Sequence, residues 1–244
     1  MYEIIKAEHL KQKRTFARAL PVAAPLVNLL LVLILTGGMD KAFAAGEWNW
    51  WYAALLPGSL AVQCYLSCAK ERKSRYYNLK SLPHAPGKLV LGKVLYLALC
   101  LFAANLLTFI GTLAGGAAFG TNISARAALL AAALLSLAYL WEIPLYLFLS
   151  ARFGMTADII TCALLTGVGV AAMADGAYWW LCPSAIPVRL MCPALGILPN
   201  GLPVPGGSGL RSSGVILPGL ILSAVWFAVC TVLLCRWFER AEVK

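Results

Sequence analysis

Six stretches of this chain are apolar over about the length that crosses a bilayer, and no other feature restricts its fold as much. They run over Leu20–Thr36, Trp50–Cys68, Leu89–Phe119, Ala127–Ser150, Ile159–Ala174 and Val215–Trp237. A spanning helix needs about 20 mostly apolar residues, because hydrocarbon offers no partner to an open backbone N–H or C=O. The first and fifth runs are short, and the third is long enough to tilt or protrude. Charged residues make up 12% of the chain and mean hydropathy is +0.79. A soluble domain carries roughly a quarter charged residues. The expectation is an all-α polytopic membrane protein with six transmembrane helices.

Orientation follows from Lys and Arg, which accumulate on the cytoplasmic side. With both termini inside, sixteen of the 20 fall there, including Lys6, Lys11, Lys70, Arg72, Lys93, Arg152, Arg236 and Arg240. Only Lys41, Arg126, Arg189 and Arg211 fall outside. The formal charge of +10 is therefore a topology signal, and a nucleic-acid partner is not needed to explain it.

Residues 1–18 read as an interfacial amphipathic helix, with Tyr2, Ile5 and Phe16 on one face and basic residues around the rest. A solvated basic tail is the alternative. "AFAAG" after the first run resembles a signal-peptide cleavage site, but the basic segment is too long and Asp40 and Lys41 intervene. Pro21 and Pro25 are expected in the first turns of span one, where a missing N–H costs least. "GEWNWWY" and "AYWW" are expected as aromatic belts at the outer interface. Gly111, Gly115, Gly116 and Gly120 predict close helix approach, within the chain or with another subunit. Residues 19–244 then form one six-span domain, with a cytosolic loop at 69–88 and an exterior segment at 175–214. That segment is too apolar to hang in water and is expected as short helical pieces folded over the bundle or dipping into the outer leaflet. Cys182 and Cys192 lie in it, and either a disulfide or two free thiols fits.

Catalytic signatures are missing. The sequence has no Ser–His–Asp set, HExxH, paired carboxylates, paired CxxC or GxxxxGK[ST] phosphate loop. A membrane enzyme is thereby weakened, and the chain has no usual means of holding ATP. Glu142, inside "LWEIPLY", is the exception: an intramembrane carboxylate is expensive and marks a functional hypothesis. It either faces a path for a cationic substrate or ties helices together through hydrogen bonds. Pro144 should kink the helix beside it. Asn28, Gln63 and Asn105 are the other polar side chains in the runs, and Asp158 reads as a helix N-terminal charge.

"AKERKSRYYNLKSLPHAPGK" separates spans two and three. It extends the second helix inward, then breaks at Pro83, Pro86 and Gly87. Leu79 and Leu82 would anchor it in a groove of a soluble partner, with basic residues as the rim. Binding to lipid headgroups is the alternative.

The span count, the interfacial helix, this loop and the long exterior segment resemble an ABC-2 type permease. "WWYAALLPG" (50–58), "KSRYYNLKSLP" (73–83), "WEIPLYLFLS" (141–150) and "PSAIPVRLMCPALGILPNGLP" (183–203) resemble the lantibiotic-immunity ABC transporter permeases of the MutE/EpiE kind. Where that family is expected to carry "WQIP", this chain has Glu142. The resemblance implies a bacterial cytoplasmic-membrane exporter. This permease would pair with a second, related one over two copies of a cytosolic ATPase, which would hold ATP and Mg. Tyr76, Tyr77, Asn78, Leu79, Leu82, Pro83 and His84 would form the ATPase-docking element. Glu142, Asn105 and Arg189 are the candidate substrate path. The cargo would be a cationic antimicrobial peptide, a lantibiotic or bacitracin-like. Export of a lipid or glycolipid and a non-transporting peptide sensor are the alternatives.

Overall fold

The computed structural model describes residues 1–37, 42–74, 76 and 85–240. Among these residues the chain is helical almost throughout, with one isolated antiparallel bridge between Ile197 and Pro203 and no strand. Five helices are long and apolar enough to cross a membrane, and there are six if one bent pair counts as a span.

Helix α1 covers Tyr2–Lys11. Its buried residues are Ile4 and Glu8, while Tyr2 is exposed and Phe16 already belongs to the next helix. The face expected to meet lipid is therefore not the one that packs. Ile4 sits over Gly92, occupying the space a side chain there would take. A tight turn, with Arg14 at φ 65° and Thr15 Oγ1 donating to Gln12 O, leads into α2, Phe16–Leu35. This helix starts four residues before the apolar run, so Pro21 and Pro25 are interior rather than first-turn residues. Each leaves a carbonyl one turn back without its helical donor. Ala17, Leu20, Ala24, Asn28 and Val32 form the buried stripe, and Leu26, Leu30 and Ile34 face outward.

Helix α3 runs over Phe43–Lys73, seven residues longer at its start than the apolar run suggested. It widens into a π-helical stretch at Trp51–Leu55, just before Pro57. Trp48, Trp51 and Tyr52 are fully enclosed, so the first aromatic cluster packs the bundle core and only Trp50 is exposed. The second cluster behaves differently, with Tyr178 and Trp180 both exposed. Apolar rings gain little by leaving lipid for protein, so close packing holds the first set in place.

Helix α4, Pro86–Phe119, has 34 residues. It is about 51 Å long, against roughly 30 Å of hydrocarbon, and must extend beyond it. Its glycines serve packing within the chain: the Glu47 carboxylate lies over Gly111 and the Phe43 ring over Gly115. Helices α5, Ala125–Ala138, and α6, Glu142–Arg152, form the bent pair, with 44° between them. The break falls at residues 139–141, and Pro144 sits in the first turn of α6, where the sequence predicts a kink.

Helix α7, Met155–Met173, ends in a second π-helical stretch. Residues 175–214, which the charge pattern places outside and which are called the exterior segment for that reason, fold back as α8, Ala185–Leu195, buried along most of its length against the bundle. Cys182 and Cys192 are separate thiols. The last helix, α9, covers Ile216–Arg240, and only Gly219, Ser223, Leu234 and Phe238 on it are buried. Leu220, Leu222, Phe227 and Trp237 are half-buried against the core, and Leu217, Ile221, Val225, Val229 and Leu233 face outward.

Candidate functional site

Two polar groupings stand out in this apolar bundle. The first joins α1 to the ends of α3 and α4 that carry the basic residues, called the inner ends below. Lys93, two turns into α4, has its side chain 3% exposed. Its Nζ donates to Glu8 Oε2 at 2.8 Å and to the Ser67 carbonyl at 2.9 Å, and lies 3.1 Å from Glu71 Oε2. Lys11 closes the ring, reaching Glu8 Oε1 at 2.5 Å and Glu71 Oε1 at 2.9 Å. Two acids face two lysines, so the cluster is neutral. Burial pushes the Glu8 carboxyl up, but Lys93 and Lys11 outweigh it and hold the group below its ordinary value. For Lys11, burial pulls down, and Glu71 with Glu8 pulls further up. Topology reasoning counted Lys93 as a loop charge, whereas here it is the hub of an enclosed ion pair.

The second grouping lies between α3, α6 and α7. On α6, Glu142, Tyr146 and Ser150 recur every four residues and are all buried. On the antiparallel α7, Asp158, Cys162 and Thr166 recur at the same spacing, the first two buried and Thr166 half-buried, and the two rows face each other. Ser150 Oγ donates to Asp158 Oδ2 at 2.5 Å. Farther outward, Cys162 neighbours Tyr146 and Glu142. Cys64 of α3 approaches the Ile143 carbonyl at 3.8 Å. Arg72 Nη2 stands at the inner mouth, donating to Phe153 O at 3.3 Å. Above Glu142, Tyr139 donates to the Tyr52 carbonyl at 2.7 Å, and Tyr52 donates to Leu198 O of the exterior segment at 3.2 Å. A continuous file of polar groups thus runs from the inner mouth to the exterior segment. Within it, Asp158 Oδ1, Glu142 Oε2 and Tyr146 Oη are buried and make no well-formed hydrogen bond, although the Tyr146 hydroxyl neighbours the Glu142 carboxyl and the Cys162 thiol. Such orphaned groups cost about 1–3 kcal/mol each unless a function or a bound species accounts for them.

The residues expected along a substrate path lie in different places. Asn105 accepts from Trp51 Nε1 at 2.8 Å and donates to Ser136 at 3.0 Å, tying α3, α4 and α5. Arg189 on α8 donates to the Leu210 carbonyl at 2.8 Å and braces the exterior segment. Glu142 belongs to the polar file. No hydrogen bond or ion pair joins the three.

Of the expected docking element, Tyr77, Asn78, Leu79, Leu82, Pro83 and His84 lie outside the described residues. Tyr76 is described: its backbone is left-handed at φ 60°, its N–H donates to Glu71 O at 2.8 Å, and its ring meets Phe238 edge-on at 5.3 Å.

Sequence reasoning did not single out Glu8, Glu71, Glu47 or, beyond Asp158, the α7 row. Glu47 is a further enclosed carboxylate, accepting from Thr112 Oγ1 at 2.9 Å, while its own carbonyl accepts from Asn28. The four-residue recurrence of polar residues in otherwise apolar helices was the available signal for the α6 and α7 rows. Asp158 does occupy the first turn of α7, as expected, but fully buried rather than as a solvated charge. Among the described residues, no group of three or more His, Cys, Asp and Glu is placed to hold a metal ion. Comparison with known proteins finds no matching family model, no matching curated protein and no matching solved structure.

Proposed function

We propose that this chain is the permease subunit of an ATP-driven exporter that clears cationic amphipathic peptides from the membrane. In this reading it lies in a bacterial cytoplasmic membrane with both termini inside, paired with a second permease above a separate ATPase. The observation that carries it is the clamp of α1 onto the inner ends of α3 and α4 by the Glu8–Lys93–Glu71–Lys11 cluster. A motor subunit pushing from the cytosol needs a stiff plate beneath the spanning helices. The cluster supplies one, and its Glu71 lies four positions before residues 75–84 in the sequence, the segment expected to meet the ATPase. Force applied there would reach α3 and α4 together, and through α3 the polar file. Buried carboxylates at Glu142 and Asp158 give a positively charged cargo something to discriminate by, if the file opens during the cycle.

The test is survival of a peptide-sensitive bacterium expressing the chain with an ATPase and second permease encoded beside it. Cells are challenged with a panel of cationic peptides, and a strain carrying an ATPase unable to hydrolyse ATP serves as control. Protection that requires ATP hydrolysis supports the reading. Protection that is indifferent to the ATPase, or the absence of protection against every peptide, overturns it.

A further inference from the structure

A cleft of about 500 Å³ lies between α6 and α9, apart from both polar groupings. Its walls are apolar, from Pro144, Leu145 and Phe148 on one side and Cys230 and Leu233 on the other. Phe148 meets Trp237 edge-on at 5.2 Å and closes the floor. At one end the lining changes to Arg236 and Arg240, one helical turn apart. Glu239 points away from them, its carboxylate lying against Gly87 of α4, where Cys235 also bonds. No described carboxylate pairs with either arginine. The arginine end is the inner end, shared with the start of α4.

We infer that this cleft is a binding site for one anionic phospholipid, its acyl chain along the apolar walls and its phosphodiester on Arg236 and Arg240. Each half selects the other. An apolar slot open to the bilayer takes hydrocarbon, and paired guanidinium groups at headgroup depth recognise a phosphate geometrically. Anionic headgroups are attracted to basic pockets between helices on the cytoplasmic side. A cationic peptide is repelled by the same pair. A second copy docked by a twofold axis through this face would set the arginines against their own images. The inference does not rest on the export reading and holds for any activity of this chain.

Native mass spectrometry tests it, on the whole protein in detergent with equimolar phosphatidylglycerol and phosphatidylcholine of identical chains. Two arginines, each contributing roughly fivefold, predict about a 25-fold preference for the anionic lipid. Arg236→Gln with Arg240→Gln should bring the preference near unity, while Lys6→Gln with Lys13→Gln, also basic but outside the cleft, should leave it intact. Equal retention of both lipids by the unaltered protein, or equal loss in the two double variants, overturns the site. So does displacement of the lipid by soluble glycerol phosphate, which would mean phosphate recognition without the acyl chain.

Discussion

Lys93 and Glu8 stand 85 positions apart in the chain and meet at 2.8 Å in an enclosed ion pair. Removing Lys93 alone leaves the Glu8 and Glu71 carboxylates sharing Lys11, a net charge inside the cluster that costs up to about 3–5 kcal/mol. Lys93→Met should therefore lower the melting temperature in detergent clearly. Lys93→Met with Glu8→Leu should recover much of that loss, since two apolar groups of similar bulk can replace a buried pair. A double variant as unstable as the sum of the singles would mean the two residues act independently.

The same cluster predicts how α1 responds to acid. The folded value of the Glu8 carboxyl lies below the ordinary 4.5. Its stabilising contribution is thus complete above about 4.5 and is lost as pH falls through the lower folded value. Lys11 is shifted the other way, upward from 10.5, so its contribution is complete below that and is lost only as pH rises through the higher folded value. Between these limits neither Glu8 nor Lys11 gives the docking of α1 a pH dependence. A fluorophore on a cysteine at Tyr2 should report release of α1 only as pH falls below the ordinary 4.5 of a glutamate, and Glu8→Gln should abolish that transition.

Packing at Gly92 gives an independent handle on the clamp. Ile4 fills the space where a Cβ would stand, so Gly92→Ala forces the two apart. Overpacking of this kind costs about 1–3 kcal/mol. Ile4→Ala alone should weaken the contact, whereas Ile4→Ala with Gly92→Ala should restore α1 docking toward that of the unaltered chain. Protease access to the linker near Thr15 would measure it, and a double variant cut faster than both singles would contradict the contact.

The spans were legible because twenty apolar residues in a row have few fates. Their ends were not, and the reasons differ. Pro21 and Pro25 read as a helix start, yet the preceding Phe16–Leu20 are good enough helix formers to extend α2 behind them. The tryptophans near residue 50 read as an interface belt, but Trp48 and Trp51 point inward because the helix carrying them starts early, at Phe43. Interfacial preference is weak and yields to packing. The ion cluster was invisible for another reason. Glu71 and Lys11 are 60 positions apart, and nothing local marks either as a partner. Glu142 was legible alone, as a carboxylate in an apolar run, but its neighbours on α7 emerge only once the turn at Phe153 and Gly154 folds α7 back along α6.

Glu142 separates a structural role from one in handling cargo. No described cation pairs with it, so Glu142→Gln keeps the shape and loses only the capacity for charge. The melting temperature should change little, while Glu142→Ala opens a cavity and should cost about 2–3 kcal/mol. On the export reading, survival against cationic peptides should fall in the Gln variant despite normal folding. Equal survival would leave Glu142 as a tie between helices.

The docking expectation rests on sequence alone and is tested at Leu79 and Leu82. Each would bury an apolar side chain in a groove of the ATPase, and an aspartate in such a groove is both desolvated and unpaired. Leu79→Asp with Leu82→Asp should abolish copurification of the ATPase, while Lys80→Gln, at the rim, should weaken it only modestly. Membrane insertion should be unchanged, because neither leucine belongs to an apolar run. Copurification that survives the double substitution would remove this segment from the interface, and force would then have to enter through α1 and its buried Glu8.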